Sequence, residues 1–142
     1  MSISRTVYLQ RKNVLTPAAW ADAIRAAGFP MEMDTQFDIE RMSGFLPCRY
    51  DGQDSGFEYF YSPVAALEAD TAVPDIGDRD IAISFVTHSS MRGLATAVVA
   101  AAVLCEKADG LLHDEEAGEL TVAKDVLAEA RELIASIVDD LD

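Results

Sequence analysis

The chain has 142 residues, half of them apolar, which suits one domain able to bury roughly two-thirds of its unfolded surface. Asp and Glu total 25 against 11 Lys and Arg, a formal net charge of −14. That sign repels nucleic acid and anionic membrane, excluding both as partners, and attracts a basic protein. Solubility alone would account for the charge equally well.

Two cysteines, Cys48 and Cys105, are too few for a metal site or a disulfide framework. Cys105, in an apolar helical stretch, reads as a small core residue. Cys48, between Pro47 and Arg49, could be a reactive thiol, and one disulfide is possible. The N-terminus has no apolar run of signal-peptide length, and the longest uncharged stretch, Gly93 to Cys105, is 13 residues. A membrane span needs about 18–20, so a cytoplasmic location is expected.

In chain order, Ile3 to Leu9 is short and rich in β-branched and aromatic residues, and reads as a strand. Thr16-Pro17 supplies a cap and a proline at the first helical position. The helix behind them puts Trp20, Ala23, Ile24 and Ala27 on one face and stops at Gly28. Pro30 to Asp34 predicts a second strand, followed by a polar loop to Ser43. Gly44 to Tyr50 and Gly56 to Ser62 predict a hairpin around the turn formers Asp51 to Ser55.

Ser62-Pro63 repeats the cap signal and predicts a short helix through Val64, Leu67 and Glu68, then a loop over Val73 to Asp78. Ile81 to Val86 is the most strand-like run and is expected at the centre of the sheet. A long helix should start at Ser89 or Ser90 and reach Ala108. Its stretch Leu94 to Leu104 is apolar nearly all round, so it needs cover on several sides, from this chain or from a second copy in a homodimer. Leu111–His113 and Glu119–Thr121 are short extended pieces flanking a tight turn. The last helix is expected over Val122 to Val138, with Val122, Val126, Ala130, Leu133 and Ile137 as its stripe. Grouped strands with hairpin signals predict an α+β domain: a mostly antiparallel sheet with helices packed mainly on one face.

The chemistry-bearing residues are sparse. His88, His113 and Asp114 could make a zinc site only if the fold brought them together. The junction Thr87-His88-Ser89-Ser90-Met91-Arg92 leads from a strand into a helix N-terminus, where His88, Ser89, Ser90 and Arg92 could hold a small anionic ligand. No glycine-rich phosphate loop precedes that helix, which favours the plainer reading of Ser89 or Ser90 as its cap. No nucleophile signature is present, and the acidic stretch from Asp109 to Glu119 lacks EF-hand spacing. Neither an enzyme nor a cofactor-dependent protein is the expectation.

Binding surfaces fit better. By alternation Phe57, Tyr59 and Tyr61 share one face of their strand and Glu58 and Phe60 the other, so a large aromatic remains outside the core whichever face is buried. Aromatics beside carboxylates suit protein interfaces, which makes Glu58, Tyr59 and Tyr61 candidate contacts. Two acidic groups add to them: Asp51 and Asp54 in the hairpin, and Asp114, Glu115, Glu116 and Glu119 at the later turn. A solvated surface is the alternative for each.

Three stretches, Ser43-Gly-Phe-Leu-Pro-Cys-Arg49, Ser55-Gly-Phe-Glu-Tyr-Phe-Tyr61 and Gly77-Asp-Arg-Asp-Ile-Ala-Ile-Ser-Phe85, resemble small acidic bacterial immunity proteins. The run Ala108 to Gly118 before an amphipathic helix is similar too. The likeness extends over residues 3–137 as a general pattern, nearest to the TsiT-like type that answers a type VI secretion nuclease effector. It implies an antitoxin that neutralises its cognate toxin in a one-to-one complex, by plugging the active site or by blocking toxin assembly. The alternative is a small-ligand enzyme or sensor at the His88 junction.

Overall fold

The computed structural model describes residues 2–67 and 73–142. Its fold is α+β. Among the described residues seven strands form one sheet in the order β2-β3-β4-β5-β1-β6-β7, and every neighbouring pair is antiparallel. The strands are β1 (Ile3–Leu9), β2 (Met31–Met33), β3 (Ser43–Tyr50), β4 (Gln53–Pro63), β5 (Ile81–Thr87), β6 (Leu111–Asp114) and β7 (Glu119–Val122). The helices are α1 (Pro17–Ala26), α2 (Met91–Lys107) and α3 (Val126–Ile137). As the apolar run predicts, β5 is the central strand.

Local chemistry starts α1 and α2 where the residues indicate. Thr16 accepts a hydrogen bond from the Ala19 N–H at 3.1 Å with Pro17 behind it, and Ser90 accepts from the Gly93 N–H at 3.0 Å. Asp51 and Gly52, both at positive φ (54° and 79°), turn β3 into β4. That two-residue turn matches the right-handed twist of the strands, so the hairpin is tighter than the five-residue turn expected from composition and β4 begins at Gln53.

Two expectations need correction. Among the described residues no α-helix follows Ser62-Pro63: Pro63 still pairs with Ile81, the Val64 N–H donates to the Asp80 carbonyl at 2.8 Å, and a single 3-10 turn, Val64–Ala66, forms. Sheet pairing overrides the cap signal, and Glu68 lies outside the described residues. The last helix begins at Val126 rather than Val122. Val122 is spent on β7, opposite Leu111, where it is exposed.

All three helices pack on one face of the sheet. Val7, Leu9, Leu46, Phe57, Tyr59, Ile83, Phe85 and Leu112 point into that layer and meet α2, whose residues from Ala95 to Cys105 are all buried. The apolar-all-round helix is thus covered by the sheet, α1 and α3, and needs no second copy. Trp20 of α1 locks the layer. Its indole N–H donates to the Ala100 carbonyl at 3.0 Å, and its ring meets Phe85 edge-on at 5.9 Å.

The opposite face of the sheet carries no described helix. At one end Ile76 packs with Tyr8, Ala82 and Leu111 in a small satellite cluster under the 73–80 loop. The rest of that face, from β3 to β5, is where the exposed aromatics lie.

Candidate functional site

Alternation along β3 and β4 decides which side chains the open face displays. Leu46, Cys48 and Tyr50 turn inward and are buried, so Phe45, Pro47 and Arg49 turn outward. On β4, Phe57 and Tyr59 turn inward, leaving Asp54, Glu58 and Phe60 outside. Phe45 is 58% exposed and Phe60 39%, a large area of aromatic surface left in water. Glu58 stands opposite Phe45 in the ladder, and His88 Nε2 is 2.9 Å from its carboxylate. Arg49 and Asp54 form an exposed ion pair at 3.1 Å.

Beside these residues is a groove of about 710 Å³ over the β2 end of the sheet. Phe45 and Pro47 form its apolar part, and Glu32, Asp34 and Asp54 its acidic rim, with Arg49 the one cation among the described residues. Phe45, Pro47, Glu32 and Asp34 had no place among the sequence-derived contacts. The alternation in Ser43–Tyr50 contains the signal for Phe45 and Pro47, since Leu46, Cys48 and Tyr50 form the more apolar set. The groove itself depends on β2 docking beside β3, which no local pattern reveals.

Of the expected contacts, Asp51 and Asp54 lie at the β3–β4 turn, and Glu58 lies further along β4 on the open face, opposite Phe45. Tyr59 is not available: it is fully buried, and its hydroxyl donates to the Ile39 carbonyl at 2.6 Å. Burial pushes its phenol well above the ordinary value, with Tyr61, Asp38 and Glu40 adding to the shift. Tyr61 is half-buried on the same inward side, beside Glu40 and Arg11. The exposed aromatic of β4 is therefore Phe60.

The second acidic set divides. Glu115, Glu116 and Glu119 are exposed, but Asp114 has a structural role. It lies 3.4 Å from the buried Arg5 guanidinium and accepts from the Glu116 and Ala117 N–H groups at 3.0 and 3.2 Å. Arg5 also pairs with Glu129 at 3.2 Å, joining β1, β6 and α3.

Of the four residues of the His88 alternative, Ser90 and Arg92 are engaged by Asp142. Asp142 Oδ1 accepts from the Arg92 N–H at 2.8 Å and from the Ser90 hydroxyl at 3.1 Å, and the Arg92 guanidinium donates to the Asp142 main-chain oxygen at 2.6 Å. These bonds hold the Asp142 carboxyl below its ordinary range. Arg92 also donates to the Tyr50 carbonyl at 2.7 Å, while His88 turns the other way toward Glu58. The residues around His88 and Ser89 line a concavity of about 200 Å³, in which Ser90 is bonded to Asp142 and His88 to Glu58.

His88 and His113 also stay apart. His88 follows the end of β5, whereas His113 is on β6 opposite Thr6, and no three-ligand group of His, Cys, Asp or Glu converges among the described residues. Cys48 and Cys105 are both free and buried, and burial pushes each thiol up to about 12, so the reactive-thiol reading fails. No helix is long and apolar enough to cross a membrane among the described residues. The sequence matches no known family model, and a search of curated proteins finds no match.

Proposed function

We propose that this chain is a cytoplasmic immunity protein that binds and neutralises a cognate antibacterial toxin, with a basic nuclease effector as the best-matching class. The observation that carries this reading is the open sheet face, where Phe45 and Phe60 are exposed beside Glu58 and Asp54. Aromatic anchors ringed by carboxylates suit a protein surface of opposite charge. The net charge of −14 supplies the long-range attraction that speeds such an encounter. The resemblance of the 43–61 segment to immunity proteins falls on these same strands.

The test is capture from the native cell with tagged protein, washed at low salt, followed by expression of any captured protein alone and together with this chain. A stoichiometric basic protein that is toxic alone and harmless with this chain is the expected result. Failure to capture any such protein under gentle washing overturns the proposal.

A further inference from the structure

The ladder around β3 is incomplete. β2 pairs with Cys48, Arg49 and Tyr50 only, and the Asp34 N–H then donates to the Pro47 carbonyl at 3.1 Å. There the chain leaves: Asp34 accepts from the Gln36 N–H at 3.1 Å, and Ile39 is next found in the core beneath Tyr59. Among the described residues, Ser43 to Leu46 of β3 pair with β4 alone.

The phase of the hydrogen bonds shows what the open edge offers. In an antiparallel strand, alternate residues direct both main-chain groups to opposite neighbours. Pro47 faces the β2 side through its carbonyl, so Phe45 and Ser43 face that side too. Pro47 has no N–H to give, which shortens the usable edge to the two residues that follow the groove. Phe45 and Ser43 are both exposed.

Edge and groove are continuous, because Phe45 belongs to both. A strand laid against Ser43–Phe45, in line with the departed β2, would send alternate side chains over the open face. There they would meet Phe45 and Pro47, with the Glu32 and Asp34 carboxylates beside them. Among the described residues the rim carries Glu32, Asp34 and Asp54 against Arg49 alone, and Arg49 is already engaged by Asp54. An arginine or lysine is the complementary side chain, and a glutamate would be repelled. The same charge argues against a second copy of this acidic chain as the occupant.

Building on the binding role proposed above, we infer that the β3 edge and its acidic groove are a docking site for an extended, basic segment of the partner. That segment adds as a short strand at Ser43–Phe45, with a basic side chain between Glu32 and Asp34 and an apolar one against Phe45 and Pro47.

The test uses the full chain, labelled with ¹⁵N, and a blocked six-residue peptide with arginine and valine at successive positions of one strand face and threonine at the positions between them. The expected result is saturable shifts of the amides of Glu32–Asp34 and Ser43–Phe45, with the Phe45 N–H exchanging at least tenfold more slowly when saturated. The isosteric pair E32Q/D34N keeps the hydrogen bond to Gln36 and should weaken binding at least fivefold while leaving the remaining spectrum in place. A peptide with glutamate in place of arginine should not bind. Absence of saturable shifts, shifts centred on β7 or on Glu115 and Glu116, or affinity unchanged in E32Q/D34N would overturn the docking site. The peptide is supplied, so the outcome is independent of the cellular capture: a failed titration removes this groove alone, and a failed capture removes the immunity reading.

Discussion

Gly56 of β4 lies against both β3 and the start of α2. Its φ is +152°, and a Cβ built there would stand 2.4 Å from the Leu46 carbonyl oxygen and 2.6 Å from the Phe45 ring. A Cβ on Gly93 of α2 would come within 3.1 Å of the Gly56 carbonyl oxygen. G56A should therefore cost about 3 kcal/mol through backbone strain and displacement of Phe45, read as a lower urea midpoint. Tyr59→Phe removes one buried hydroxyl bond and should cost about 1 kcal/mol. The two thiols give a pH prediction. Both are raised from 9.0 to about 12 in the folded protein, mainly by burial, so folding favours their protonated forms. Their stabilising contribution is complete below pH 9 and should fall as pH rises toward 12, moving the urea midpoint down over that window. Iodoacetamide at pH 8 should label neither cysteine in the native state and both in urea.

Between elements, ion pairing and pairing register decide what local propensity leaves open. Arg5 is buried on the helix-covered side of β1 and pairs with Asp114 of β6 and Glu129 of α3. Arg5→Ala should cost about 2 kcal/mol, less than the ~3–5 kcal/mol of a fully buried pair because both carboxylates are partly solvated. Amide exchange in β6 and β7 should rise more than in β3 and β4, which share no contact with Arg5. The start of α2 depends similarly on Asp142. Asp142→Ala should speed exchange of the Arg92 N–H, which donates to that carboxylate, and leave the middle of α2 protected.

Elements with strong local signals were legible from sequence: the Thr16-Pro17 start of α1, the Ser90 cap of α2, and β5 at the centre. Val122 was not, because a residue that continues a helical stripe can also pair across a sheet, and only Leu111 opposite it decides the matter. Pro63 misled for the same reason. Tyr59 and Phe60 show the limit on sites. Alternation separated them into two faces, but which face the helices would cover depends on the connections between distant elements.

At the level of the whole molecule, the net charge of −14 makes association with a basic partner sensitive to salt. Raising ionic strength from about 0.01 M to about 0.15 M shortens the Debye length from roughly 30 Å to roughly 8 Å. The association rate with the captured partner should fall tenfold or more over that range, with a smaller change in the dissociation rate, as measured by stopped flow. A rate indifferent to salt would leave the apolar anchors Phe45 and Phe60 as the basis of binding.

The sequence by itself determined the α+β class, most element positions, the acidic field and the need to surround the Leu94–Leu104 helix, because these follow from composition and from periods of two and 3.6 residues. Only the tertiary structure decided that α1 and α3 supply that cover, and that Asp142 fills the α2 N-terminus. Only it showed Asp114 to be bound to Arg5, and Phe45 rather than Tyr59 to be displayed beside an acidic groove. Each of these depends on residues far apart in the chain meeting in space, and the energy of such a meeting belongs to the pair, not to either local pattern.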